Sequence, residues 1–342
     1  MVYDASSAEI LSRLSEKDTH YAATKQLISG LLAAALGLGV FRLGFERLWN
    51  LIPYLFWGLT LLLLLTLIPG IGQKINAARR WILIAGFSLQ PSEVLKYILP
   101  PACIYFLQQE SDLNFASFIK VMLTLCIPIA LVFLEPDNGA VFVALISLVV
   151  TLFLLRIDMR FWMLPMLVIV SVGALVASRM PHVPTRIRIY LNPELDLLGK
   201  GHQPHQAKIA AGAGGLWGRG LGKSVQKLEY LPEAQNDYIA AIFAEEFGFL
   251  GMSLLIGLYT LMAICGLIMT RASPSLVTFQ LSGSLLFVFL IQVFLNLGVV
   301  CGLLPSTGMN LPLFSQGGTS LLVHGGLIGY LFSLGKRPQE AV

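Results

Sequence analysis

The chain of 342 residues is 56% hydrophobic and only 12% charged, with a mean hydropathy of +0.76, whereas soluble domains carry about a quarter charged residues. This composition excludes an ordinary water-soluble domain and calls for lipid as solvent, where backbone polar groups must be satisfied internally by helices rather than open sheets. The net charge of +4 names no partner in sum, and no nucleic-acid partner is expected, so the placement of the charges carries the information.

The first twenty residues are polar and lack the apolar core of a cleavable signal peptide. Apolar runs then fall at 22–41, 50–69, 82–107, 118–135, 139–156, 161–178, 238–270, 276–303 and 316–335, nine in all and each long enough to span. The fold class is therefore all-α: a polytopic transmembrane helical bundle forming one membrane domain over 1–342. One long interruption, the large loop 179–236, holds eight basic residues, prolines including Pro181, Pro184, Pro193 and Pro204, and a glycine cluster. Cys103, Cys126, Cys265 and Cys301 lie within apolar runs, at spacings that suit neither zinc nor a disulfide framework.

Lys and Arg in short loops mark the cytoplasmic side. One alternate set of connections holds Arg42, Arg47, Lys120, Arg156, Arg160, Arg271, Lys336 and Arg337, and the other holds Lys74, Arg79 and Arg80. The first set is cytoplasmic on this count, which places loop 179–236 outside; long loops are exempt from the rule. A C-terminus inside after nine spans puts the N-terminus outside. A further spanning segment ahead of Met1 is thus expected, with Met1–Ser7 reading as its outer tail.

Charged groups within spanning helices cost about 2.5–3.5 kcal/mol each and are functional candidates by default. Glu93 and Lys96, at i and i+3 near Arg79 and Arg80, form either an internal ion pair or part of a contact for an anionic headgroup. Glu135-Pro-Asp-Asn-Gly139 is an outward turn whose carboxylates are either solvated or line a site or hold a cation. The stretch from Gly212 to Lys223 is either a flexible loop or a cradle in which glycine amides approach an oxyanion beside Arg219, Lys223 and Lys227. Asp237 stands where the chain re-enters the membrane. Partial desolvation there raises a carboxylate's pKa and suits it to general-base work, the alternative being a helix N-cap beside Asn236. Of Glu245 and Glu246, inside an apolar run, at least one is expected to face a polar cavity. Proline- and glycine-interrupted backbone at 305–320 is tolerated at membrane depth only where protein buries it or it lines a cavity.

Asn76-Ala-Ala-Arg-Arg-Trp-Ile82, Gln90-Pro-Ser-Glu93 with Lys96, Glu135-Pro-Asp137, Leu231-Pro-Glu-Ala-Gln-Asn-Asp237, Glu245-Glu246 with Gly248, and the stretch from Pro312 to Ser320 occur in this order. Together they resemble the SEDS (shape, elongation, division and sporulation) family of bacterial cell-wall proteins typified by FtsW and RodA. Ile68-Pro-Gly-Ile-Gly72 is closer to the division member than to the elongation member. The resemblance implies a peptidoglycan glycosyltransferase that polymerises lipid II into glycan strands during septal wall synthesis, releasing undecaprenyl pyrophosphate. It implies about ten spanning helices, in keeping with a missing first one, and a site facing outward from the bacterial cytoplasmic membrane. The family's essential acid falls on Asp237 and its second loop acid on Glu229. Arg80, Glu93 and Lys96 match polar residues of the family's central cavity, and with Arg79, Arg219, Lys223 and Lys227 they form the substrate-binding set. Implied partners are a class B penicillin-binding protein acting as transpeptidase, and other divisome proteins. No cofactor is required by the sequence and no metal ligand is assigned, though the resemblance leaves room for a divalent cation, magnesium or manganese. Ala77, Gln235, Gln316 and Lys208 depart from the family pattern. The rival readings are a lipid II flippase and a non-catalytic divisome scaffold.

Overall fold

A computed structural model describes residues 21–75, 78–84, 86–179, 188, 190, 201–226 and 236–334. Helix α1 (Tyr21–Leu67) contains the first two apolar runs, separated at Gly44, whose φ of 74° and ψ of 171° interrupt the helix. Positive φ is strained for any residue with a Cβ, so glycine marks the junction.

The third run does not open as a helix. Three antiparallel strands, β1 (Gly72–Ile75), β2 (Ala78–Ile84) and β3 (Phe87–Leu89), form a small sheet in the order β1-β2-β3, with Gly72 opposite Ile82 and Ile82 opposite Leu89. The helix expected from residue 82 begins only at Pro91. Gly86, at φ 83°, turns the chain between β2 and β3, and a residue preceding proline is pushed out of the helical region, as Gln90 is at φ −109°, ψ 101°.

Helix α2 (Pro91–Gln109) is buried along most of its length and packs against α3 (Phe115–Leu134), α4 (Asn138–Leu154) and α9 (Gly318–Ser333). An Asn114–Ser117 capping box opens α3 and the Asp137 side chain caps α4. Gly325 and Gly329 of α9 lie directly on the backbone of Ala33 and Gly37 in α1, where a Cβ would collide. This is the small-residue contact by which spanning helices approach closely. Then come α5 (Met159–Arg179), α6 (His202–Ala213), α7 (Ile239–Arg271) and α8 (Leu276–Val300). The large loop thus carries a helix of its own.

Among the described residues, five helices, α1, α3, α5, α7 and α8, are long and apolar enough to cross a membrane, and α4 is a shorter apolar helix. Leu254, Leu258 and Leu261 share one face of α7 and are all exposed, an arrangement costly in water and suited to lipid.

The chain divides into two compact units. One comprises Met1–Ile28, Met163–Met262 and Gln292–Gly317; the other comprises Ser29–Trp162, Ala263–Ile291 and Gly318–Val342.

Candidate functional site

In the second unit, the turn between α3 and α4 is not solvated: Glu135 is 1% exposed and Asp137 4%. Arg80 on β2 donates from Nε to the Glu135 carbonyl at 3.0 Å and from Nη2 to the Pro136 carbonyl, and its Nη1 lies 3.8 Å from Asp137 Oδ1. Asp137 Oδ2 accepts from Ser92 Oγ at 3.0 Å and from Gln90 Nε2 at 3.3 Å, while Oδ1 accepts from the Ala140 amide. Thr66 donates to Glu135 Oε1. Glu135 Oε2 is buried without a hydrogen-bond partner among the described residues. Burial, reinforced by the neighbouring Asp137 charge and opposed by Thr66 and Arg80, pushes the Glu135 carboxyl up to about 8.

Glu93 and Lys96 meet at 2.7 Å, and the Lys96 side chain is fully buried. Of the two sequence readings, the geometry matches the internal ion pair. Beside them, Tyr97 Oη and His324 Nε2 are 2.9 Å apart and both side chains are buried. Arg79 adjoins Arg80 on β2 and stands opposite Lys74 in the sheet register. Gln90 and Ser92 belong to the Gln90-Pro-Ser-Glu93 motif but have no role of their own in the sequence reading, and Thr66 and His324 lie outside its candidates. Uncharged or lone residues in apolar runs give no signal until partners from distant segments are brought up to them.

In the first unit, the glycine-rich stretch answers a break in α7. Gly248, at φ 63° and ψ −161°, interrupts the helix, which would orphan the Glu245 and Glu246 carbonyls and the Phe249 and Leu250 amides. The loop supplies all four partners. Arg219 N donates to Glu245 O at 2.9 Å and Gly220 N to Glu246 O at 3.0 Å, while Gly215 O and Leu216 O accept from Phe249 N at 2.8 Å and Leu250 N at 3.2 Å. Backbone must be paired at such a break, and a Cβ on Gly218 would collide with the Glu246 backbone. Of the amides that the oxyanion-cradle reading offers, those of Arg219 and Gly220 are thus committed to the helix.

Of Glu245 and Glu246, at least one of which is expected to face a polar cavity, Glu245 turns its carboxylate to the same loop. Glu245, 0% exposed, accepts from Arg219 Nη1 at 3.0 Å, Ser224 Oγ at 2.5 Å, Val225 N at 3.2 Å and Gln226 N at 3.3 Å. Both carboxylates anchor the loop, since Glu246 Oε1 accepts from Ser224 N at 3.4 Å. Arg219 is thereby paired with Glu245, and Lys223 is exposed in the turn that follows. Lys227 and Glu229 lie outside the described residues.

Asp237 occupies a turn before α7. The Tyr238 carbonyl receives the first helical bonds, from Ala241 N and Ile242 N, so Asp237 sits one residue outside the N-cap position. Its Oδ2 lies beside Gly308, where a Cβ would stand 3.6 Å away. Asn296 Nδ2 donates to the Asp237 carbonyl at 2.9 Å and to the Met309 carbonyl at 2.7 Å, and Ser315 Oγ donates to the Asn236 carbonyl at 2.6 Å. Ser315 belongs to the interrupted stretch 305–320 already noted in the sequence, where it has no role of its own, and Asn296 gives no sequence signal. The structure therefore joins Arg80 to Glu135 and Asp137, Glu93 to Lys96, and Arg219 to Glu245, and it gives Asp237 a braced backbone.

Long apolar helices together with buried ionisable groups define a multi-pass helical membrane protein with polar interior sites. The chain belongs to the FtsW/RodA/SpoVE cell cycle protein family, whose profile matches residues 1–339. It is 35% identical over 339 residues to a protein of Trichlorobacter lovleyi named "Probable peptidoglycan glycosyltransferase FtsW", covering 98% of this chain and 88% of that one. A protein of the same name from Coxiella burnetii is 39% identical over 289 residues, covering 82% and 77%. Among solved structures, a chain of a peptidoglycan synthase complex that coordinates polymerization and crosslinking superposes with a TM-score of 0.76 at 26% identity, covering 99% of this chain and 97% of that one. The rod shape determining protein RodA of Thermus thermophilus superposes with a TM-score of 0.68 at 25% identity, covering 97% and 90%.

Proposed function

We propose that this chain is a peptidoglycan glycosyltransferase that polymerises lipid II during septal wall synthesis, with Asp237 as its general base. The observation that carries the reading is near full-length likeness to proteins bearing that name. Asp237 removes the proton from the 4-hydroxyl of an acceptor lipid II. The oxygen attacks the anomeric carbon of the growing chain, the bond from that carbon to undecaprenyl pyrophosphate breaks, and the pyrophosphate leaves with the bonding electrons. A leaving group already stable as an anion gains more from cations than from a general acid. Arg219, Lys223 and Lys227, in the same stretch of sequence as Asp237, are the candidates for that role, with Glu229 as a supporting acid; Arg79, Arg80, Glu93 and Lys96 are proposed separately as substrate-binding or supporting groups.

The described residues gather no group of three or more His, Cys, Asp or Glu side chains suited to a metal ion. A divalent cation, magnesium or manganese, would assist through the substrate's own phosphates, a common arrangement for magnesium. The site faces outward from the cytoplasmic membrane, and a class B penicillin-binding protein cross-links the product alongside other divisome proteins. Polymerisation of lipid II by the full chain with that partner tests the assignment. Asp237→Asn should abolish strand formation, and near wild-type synthesis by that variant would remove Asp237 from the mechanism. In proteoliposomes offered lipid II on the outer leaflet alone, polymer should form, whereas a flippase would make none.

A further inference from the structure

The turn that carries Asp237 is held by two side chains from distant segments. Asn296 lies in α8 among Phe294, Leu295 and Leu297, and Ser315 lies in the interrupted stretch before α9. They are 2% and 3% exposed. An amide inside an apolar helix is costly and marks a function by default. Asn296 spends both of its N–H donors on backbone carbonyls, those of Asp237 and Met309, which fixes the amide's orientation, because the flipped form would set Oδ1 against two carbonyl oxygens. Its Oδ1 is buried without a hydrogen-bond partner among the described residues. An unmet acceptor costs about 1–3 kcal/mol, so stability alone does not account for asparagine here.

Ser315 Oγ accepts from Leu311 N at 2.8 Å while donating to the Asn236 carbonyl at 2.6 Å. It thus ties its own turn to the acid's. Tyr259 on α7 secures the same turn by donating to the Pro312 carbonyl at 2.6 Å. The carbonyls of two consecutive residues, 236 and 237, are therefore fixed from two directions, and Gly308 leaves room beside the carboxylate. Two fixed peptide carbonyls leave the Asp237 backbone little freedom to rotate, and a general base works only within hydrogen-bond reach of the proton it takes.

We infer that Asn296 and Ser315 are the positioning residues of the reaction: by holding the carbonyls of Asp237 and Asn236 they set where the Asp237 carboxylate stands. The inference rests on Asp237 being the base. It is tested with the full chain and its transpeptidase partner by steady-state polymerisation of lipid II, comparing Asn296→Asp, Ser315→Ala, Ser315→Thr and Asp237→Asn, with a thermal melt of each. Asn296→Asp replaces the donors with oxygen at nearly the same size. Ser315→Ala removes a single oxygen and serves alone if the first variant does not fold. Misplacement by about an ångström costs up to 100-fold, so kcat should fall roughly 10- to 100-fold in both while KM for lipid II stays within about twofold. Ser315→Thr, which keeps the hydroxyl, should restore most of kcat. Wild-type kcat in Asn296→Asp and Ser315→Ala alongside an inactive Asp237→Asn would overturn the positioning role and leave the base assignment standing. A parallel loss of kcat, lipid II affinity and melting temperature would reduce both residues to structural supports and overturn it equally. An active Asp237→Asn would remove the base assignment and the inference together.

Discussion

Glu135 shows how burial changes what a side chain is. In an outward turn a glutamate is ordinarily ionised at neutral pH, but here burial raises its carboxyl from 4.5 to about 8. Between those values the unfolded chain has released the proton and the folded chain has kept it. The group's contribution to stability is therefore full below about 4.5 and is lost as the pH rises through about 8. Glu135→Gln carries no such proton. Its melting temperature should fall less than that of the unmodified chain between about pH 5 and pH 8 in otherwise identical detergent or nanodisc samples. Identical slopes for the two proteins would show that Glu135 titrates in the ordinary range. The neighbouring Arg80 was legible from the sequence as a polar candidate, but its two bonds to the carbonyls of the Glu135 turn were not. Those two segments are 55 and 56 residues apart in sequence, and only folding brings them together.

At the scale of elements, the pairing of the glycine-rich loop with the break in α7 is the feature that composition least foretold. Glycine clusters usually mean flexibility or anion binding; here four loop hydrogen bonds satisfy the two amides and two carbonyls that a continuous helix would have paired with each other. Two glycines in the loop separate conformational strain from steric conflict. Gly215 has φ 54° and nothing within 4 Å of where a Cβ would be, whereas Gly218 has φ 79° and would drive a Cβ into the Glu246 backbone. Gly215→Ala should cost about 1–2 kcal/mol, the penalty for a left-handed alanine, and Gly218→Ala roughly twice that or more. Denaturation midpoints and the rate of proteolysis within loop 179–236 give the readout. Equal effects at the two positions would mean that the loop does not seat in the break.

For the whole molecule, the charge pattern predicts an orientation that a labelling experiment checks directly. In a chain whose four cysteines have been replaced, Lys223→Cys should react in intact cells with a membrane-impermeant thiol reagent. Arg271→Cys should react only after the membrane is opened. The reverse pattern would invert the topology and move the large loop, with its basic residues, to the cytoplasmic side.

The sequence by itself determined the helical membrane class, the positions of nearly all the helices, the family, and the list of polar residues worth attention. Hydrophobic run length and local motif spacing are one-dimensional properties, and lipid leaves a chain few other ways to satisfy its backbone. Where apolar character continued from strand into helix, at 82–91, hydropathy could not tell the two apart; Gly86 and Pro91 decided it through backbone geometry. Tertiary structure alone decided that Arg80 meets the Glu135–Asp137 turn and Arg219 meets Glu245, that Glu245 and Glu246 serve the loop, and that Asn296 and Ser315 hold the turn of Asp237. Each of these depends on a neutral or ionised group meeting a partner from a distant segment, and the energy of that meeting comes from desolvation and hydrogen-bond geometry, which no local pattern encodes.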